Sequence, residues 1–269
     1  MQTINLTNLE KSDIKYNIIT FPDGEKHLKL DTINRKDSVE VICRITCSDD
    51  LFILMQLSDI LHRQEVYIQI LNINYLMGMR CDRLFSLDEA FTLKIVANVI
   101  NSFNAEEVHI VEPHSSCTGR LITECYECYP MYNMIDEMLE DYVICYPDKG
   151  AQQRYDYNCS QYICCEKQRD VETGKLLKFS ISESKVEPYP DKIVVVDDLC
   201  DGGGTFLGIG ELLKNTFNPK SLALVVTHAV QLEGLKRVAE IYDHVYITNS
   251  YCDWNTNESL PKNITVIEI

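Results

Sequence analysis

Short runs rich in β-branched and aromatic residues recur along the whole chain, and segments with helical spacing lie between them. This alternation limits the fold more than any other feature. The runs are VEVICRI from Val39, VYIQILNI from Val66, VHIVEP from Val108, YVICYP from Tyr142 and YICC from Tyr162. They continue with KIVVVDD from Lys192, LALVVTH from Leu222, HVYIT from His244 and the terminal ITVIEI. Strands this apolar must be covered on both faces, as happens when parallel strands are joined through helices. The spacing of Phe91, Ile95, Val99 and Phe103 predicts a helix with that inner face, opened by Ser86 and Glu89 in capping-box spacing. A second helix is predicted after Gly204, with Leu207, Leu212 and Leu213 along it. An α/β protein follows, and the number of strands suits two sheets better than one.

Charge removes one class of partner. Asp and Glu number 41 against 25 Lys and Arg, for a formal charge of −16. Broad electrostatic attachment to nucleic acid or anionic lipid needs a basic face instead. No apolar run approaches the ~18 residues of a spanning helix, so neither nucleic acid nor membrane is expected as a partner. The N-terminal MQTINLTNLEKSD shows no basic start followed by an apolar stretch, so no signal peptide is expected. The reading is a cytoplasmic protein with its 12 cysteines reduced. Cys125 and Cys128 form a lone CxxC with no second pair nearby, which favours ordinary thiols over zinc or redox chemistry.

In open α/β sheets ligands bind at the carboxyl ends of strands. Several predicted strands end in polar residues that packing alone does not need: His114, Asp148, Asp197 with Asp198, and Thr227 with His228. The most specific segment is KIVVVDDLCDGGGTFLGIGELL, residues 192–213. Two adjacent carboxylates are followed by Asp201, the glycines 202, 203 and 204, and Thr205. Glycines let a ligand approach the main chain closely, and a following helix N-terminus favours an anion without a nearby lysine. Paired carboxylates suit a vicinal diol or Mg²⁺. Neither GxxxxGK[ST] nor GxGxxG spacing is present.

This segment resembles the ribose-5-phosphate loop of type I phosphoribosyltransferases and of ribose-phosphate pyrophosphokinases. In that family two acidic residues hold the ribose hydroxyls and a D-T-G-G-T-like stretch wraps the 5-phosphate. Asp197 and Asp198 match the pair, and Asp201, Gly202, Gly203, Gly204 and Thr205 match the loop. Other segments resemble the pyrophosphokinases in particular, in the family's order. FPDGE resembles an adenine-contacting element that reaches across a subunit interface, with Phe21 stacking on the base and Asp23 and Glu25 reading its edge. MRCDRLFS resembles ARQDR, which implies ATP contacts at Arg80, Asp82 and Arg83. VEPHSS matches a strand end whose His114 touches metal and triphosphate. YPDKGAQQR resembles the pyrophosphate loop, making Asp148 an Mg²⁺ ligand, and CCEKQRD resembles the mobile catalytic loop, giving Lys167 and Arg169.

The resemblance implies two tandem phosphoribosyltransferase-like domains, 1–130 with the ATP elements and 131–269 with the ribose-phosphate and catalytic loops. It implies an Mg²⁺-dependent enzyme that moves the β,γ-pyrophosphoryl group of ATP to the anomeric hydroxyl of a ribose 5-phosphate moiety and releases AMP. It also implies a homodimer or higher homo-oligomer. Two departures matter. Ala151 replaces a family glycine, and Gly202 stands where the family's loop has Thr. Loss of that hydroxyl opens room for a 5′-substituted ribose phosphate. ADP-ribose, the acceptor implied by similarity to viral NAD-salvage relatives, is therefore an alternative to ribose 5-phosphate. A catalytically silent, regulatory relative is the alternative of a different class.

Overall fold

Two largely parallel sheets, each accompanied by helices, absorb the apolar runs, making this an α/β fold. The structure is a computed structural model and describes residues 1–31, 33, 38–84, 86–155, 159–169, 176–186 and 189–269. It divides into units Met1–Tyr129 and Pro130–Ile269.

The strands of the first unit are β1 (Gln2–Asn5), β2 (Tyr16–Thr20), β3 (Lys26–Leu30), β4 (Ser38–Ile45), β5 (Tyr67–Leu76), β6 (Glu107–Val111) and β7 (Cys125–Cys128). Five of them form a parallel sheet in the order β1-β4-β5-β6-β7. Its helices are α1 (Ser48–Arg63), α2 (Thr92–Asn101) and α3 (Cys117–Leu121). Val39, Val41, Cys43 and Ile45 alternate inward along β4 and share one core with Ile53, Leu54, Leu57 and Leu61 of α1. That is the period-2 and period-3.6 match expected of a helix lying on a strand.

Helix α2 exists, but its buried face differs from the expected one. Leu93, Val96, Ala97 and Ile100 are buried, whereas Ile95 is 57% exposed. Both sets have helical spacing, but only 93, 96, 97 and 100 make a full i, i+3, i+4, i+7 stripe. Ser86 and Glu89 lie in a turn upstream, and Phe91 takes the N-cap position.

β2 and β3 pair as an antiparallel hairpin whose turn is FPDGE, with Gly24 at φ 93°. The apolar runs did not announce it, because YNIIT is mostly exposed and Leu28 is the one buried residue of KHLKL. Gln56 of α1 tethers it: the Leu28 amide donates to Oε1 and Nε2 donates to the Lys26 carbonyl, both at 2.8 Å.

The CxxC lies in β7. Residues three apart on a strand point to opposite faces, so Cys125 and Cys128 do not converge on one ion.

The second unit contains β8 (Val143–Tyr146), β9 (Tyr162–Arg169), β10 (Leu176–Lys185), β11 (Lys192–Cys200), β12 (Ser221–Ala229), β13 (His244–Thr248) and β14 (Ile264–Ile267). Its helices are α4 (Pro130–Met138), α5 (Lys149–Arg154), α6 (Gly204–Phe217) and α7 (Leu232–Ala239). The sheet order is β10-β9-β8-β11-β12-β13-β14, parallel except for β10. β11 and β12 are buried almost throughout, as strands covered on both faces must be.

β9 corrects an expectation. Residues 162–169 form one strand, in which Glu166 to Arg169 pair with β10, so Lys167 sits on a strand rather than in a loop. The partner KFSISESK alternates as a strand should, and stopping the run at YICC missed the pairing.

Candidate functional site

The order of the second sheet reverses between β8 and β11. From β8 the chain crosses through α5 to β9 on one side, and from β11 through α6 to β12 on the other. Such a switch point leaves a crevice at the strands' carboxyl ends. The two strands deliver carboxylates there: Asp148 follows β8, and Asp197 and Asp198 lie near the end of β11.

Asp198 is 2% exposed and would be costly as an isolated charge. Its partner is Arg154, the last residue of α5. Arg154 Nη1 donates to Asp198 Oδ1 at 2.6 Å and to Asp197 Oδ1 at 3.2 Å, and the Asp198 amide caps Asp197 Oδ1 at 3.0 Å. Burial, with the Asp198 charge beside it, pushes the Asp197 carboxyl well above the usual carboxylate range, while Arg154 pulls it back. Burial alone would lower the Arg154 guanidinium, but the charges of Asp198 and Asp197 outweigh it and raise it. Tyrosines fix the end of α5: Tyr132 donates to the Arg154 carbonyl at 3.3 Å and Tyr146 to the Tyr155 carbonyl at 2.9 Å. Arg154 was passed over in the sequence, where it is merely the last letter of YPDKGAQQR.

At the other end of α5, Asp148 is the N-cap, and its Oδ1 accepts from the Ala151 amide at 3.1 Å. Its Oδ2 meets Lys167 Nζ at 3.3 Å. One short helix thus carries Asp148 toward Lys167 and Arg154 toward the β11 carboxylates. The Arg169 side chain lies outside the described residues.

After β11, Asp201 to Gly203 lead into α6. Gly203 adopts φ 75°, a left-handed conformation that suits glycine, and offers no side chain to cap α6. The first-turn amides of this 14-residue helix therefore face the loop without a capping group from that position. A Cβ at Gly202 or Gly204 would meet no heavy atom within 4 Å, so the loop is roomy at both. Thr205 lies in the first turn of α6.

The first unit brings two predicted ATP elements together. Asp82, 7% exposed, accepts from Arg83 Nε at 2.9 Å and Nη2 at 3.2 Å. The Arg83 hydrogen bond holds the Asp82 carboxyl below the usual range against burial, and Ser115 and His114 act in the same direction. MRCDR and PHSS therefore meet on one surface, with Arg80 and Arg83 exposed. Phe21, 43% exposed, and the exposed Asp23 and Glu25 form the hairpin turn, where Asp23 Oδ1 accepts from the Glu25 amide at 3.1 Å.

His228 is a packed histidine. It is fully buried, with Nδ1 2.9 Å from Ser250 Oγ, inside a strand that continues to Ala229. Among the described residues no three His, Cys, Asp or Glu side chains gather as a metal cage. No helix among them is long and apolar enough to cross a membrane.

No family profile matches the chain. Individual proteins do. A ribose-phosphate pyrophosphokinase of Sulfurisphaera tokodaii is 23% identical over 93% of this chain and 87% of its own length. One from Thermococcus kodakarensis is 26% identical, covering 91% of this chain and 89% of that protein. Ribose-phosphate pyrophosphokinase 2 of Archaeoglobus fulgidus is 27% identical over 80% and 75%. The crystal structure of phosphoribosylpyrophosphate synthetase from Mycobacterium smegmatis shares the fold, with a TM-score of 0.76, 19% identity and coverage of 97% and 88%.

Proposed function

The chain is of the ribose-phosphate pyrophosphokinase family, a pyrophosphotransferase enzyme, and on that premise we propose that ATP is its donor and a ribose 5-phosphate moiety its acceptor. The observation that carries this reading is the β11 end, where two carboxylates precede a glycine loop and an uncapped helix N-terminus at the sheet's switch point.

In the proposed reaction Asp197 and Asp198 accept hydrogen bonds from the ribose hydroxyls, while loop and α6 amides take the 5-phosphate. The anomeric oxygen attacks the β-phosphorus of ATP, the hydroxyl proton is lost, and AMP leaves with the bridging oxygen. Such a transfer relies on positioning and charge neutralisation. Lys167 and Arg169 neutralise the transferring group. Phe21, Asp23, Glu25, Arg80, Asp82, Arg83 and His114 hold ATP.

Mg²⁺ usually keeps several waters and takes one or two carboxylates plus substrate phosphates. The partly exposed Asp148 carboxylate fits that donor set. Bound there, Mg²⁺ would neutralise triphosphate charge. The assembly we propose is a homodimer or larger. Supporting it, Ile18, Ile19 and Phe21 of the hairpin and Phe52 and Met55 of α1 are large apolar side chains left 38–45% exposed.

The open space at Gly202 supports a second acceptor, a ribose carrying a 5′-diphosphate such as ADP-ribose. The silent, regulatory reading is weaker, because Lys167 and Asp148 are kept and paired. The test is AMP release from ATP and Mg²⁺ with ribose 5-phosphate or ADP-ribose. Turnover is expected with at least one. Release with ribose 5-phosphate alone removes ADP-ribose, and ATP binding without AMP from either would restore the regulatory reading.

A further inference from the structure

The ribose-phosphate loop is held from behind by α7. We propose that Gly234 and Arg237 of this helix are positioning residues for the loop, an inference that rests on the loop's proposed role as a phosphate site. Three contacts carry it. Gly234 lies so close that an added Cβ would overlap the Asp201 carbonyl oxygen and come within 3.1 Å of the Gly202 carbonyl carbon. In return, a Cβ on Gly203 would come within 2.9 Å of the Gly234 carbonyl oxygen. Helix and loop are therefore in main-chain contact, glycine against glycine. Arg237 Nη1 then donates to the Gly202 carbonyl at 2.9 Å, and Gln231 Nε2 donates to Asp201 Oδ1 at 2.6 Å.

These contacts act on the loop residues themselves. A peptide unit is planar, so fixing a carbonyl also fixes the amide that follows it. Arg237 fixes the peptide between Gly202 and Gly203, where the loop has no side chains of its own to lock it. Gln231 fixes the Asp201 side chain one step earlier. Buried Leu235 and Val238 share the core of the unit with Phe206 and Ile209 of α6, so the brace and the helix after the loop are anchored in one core. A glycine turn with open space beside Gly202, at the mouth of α6, has conformations to lose on binding an anion. The α7 contacts remove part of that freedom in advance.

The experiment is calorimetric titration of the full chain with ribose 5-phosphate, and separately with ATP, for the unaltered protein and the variants Arg237→Ala, Arg237→Lys and Gly234→Ala. Arg237→Ala is expected to weaken ribose 5-phosphate roughly tenfold, since a charge-assisted hydrogen bond is lost, and to leave ATP binding unchanged. Arg237→Lys, which keeps one charged donor, is expected to recover part of the loss. Gly234→Ala is expected to weaken ribose 5-phosphate more than Arg237→Ala does, because the added methyl overlaps the Asp201 carbonyl and must displace the loop. Where Gly234→Ala fails to fold, the Arg237 pair decides. Equal ribose 5-phosphate affinity in Arg237→Ala and the unaltered protein overturns the proposal, as does parallel loss of ATP binding. Where the unaltered protein binds ADP-ribose and not ribose 5-phosphate, the same comparison is read with ADP-ribose, and absence of binding of either overturns the proposal too. Binding without AMP production contradicts the proposed reaction and leaves the brace standing.

Discussion

Replacing Arg154 with Met is expected to produce the largest loss of any single change in the second unit. The guanidinium, with its side chain 11% exposed, is shared by two carboxylates, of which Asp198 is itself 2% exposed. Removing one partner of a buried ion pair costs about 3–5 kcal/mol because a charge is stranded. Part of that cost is avoided at low pH, where the stranded carboxylates take up protons. The sign follows from linkage. Without Arg154 the Asp197 carboxyl, already raised by burial, is raised further above its unfolded value. The folded state then binds more protons than the unfolded one, and its stability falls as pH rises. The gap in stability between Arg154→Met and the unaltered protein should therefore widen from pH 5 to pH 8, as read by urea unfolding. Activity should show the same residue. A protonated carboxyl is a poorer acceptor for a ribose hydroxyl, so the acid limb of kcat/KM for the acceptor moves to higher pH. Unchanged unfolding and an unchanged acid limb would sink this role.

Lys167→Ala is expected to behave in the opposite way, with little effect on folding and a large effect on turnover. Its contact with Asp148 is 3.3 Å long, and the side chains are 26% and 41% exposed. A pair this open contributes about 0–1 kcal/mol, so the unfolding midpoint should barely move. A charge aimed at a transferring phosphoryl group contributes far more in the transition state, on the order of 10²–10³ in kcat. The expected signature is a fall in kcat with the KM for the acceptor nearly unchanged, since Lys167 is not part of the proposed ribose-phosphate loop. An intact kcat, or a loss confined to KM, would remove Lys167 from the chemistry.

The two variants separate what was readable in the sequence from what was not. Asp197, Asp198 and the glycine loop could be recognised because the features that define them are contiguous: acids at the end of a buried strand, then glycines, then a helix. Lys167 could be named by its place in CCEKQRD, but its setting on β9 depended on pairing with KFSISESK more than ten residues further on. Arg154 was not legible, because its meaning comes from a contact with Asp198 across 44 positions. The same holds for Gly234, which looks like an ordinary helix glycine until α7 is packed on the Asp201–Gly203 turn. His228 is the opposite case. As a polar residue at a strand end it admitted both a packed and a ligand-facing reading, and burial beside Ser250 selects the packed one. The α2 face shows how helical spacing alone admits two answers, and only packing against α3 and the sheet chooses between them.

The most direct test of the central claim is the identity of the phosphorus products, followed by ³¹P NMR, when the protein is mixed with ATP, Mg²⁺ and the acceptor that supports turnover. Transfer of the β,γ-pyrophosphoryl group predicts AMP in equal amount to a new diphosphate ester on the anomeric carbon, with neither ADP nor free pyrophosphate as the primary product. Formation of ADP, or AMP accompanied only by free pyrophosphate, would contradict it.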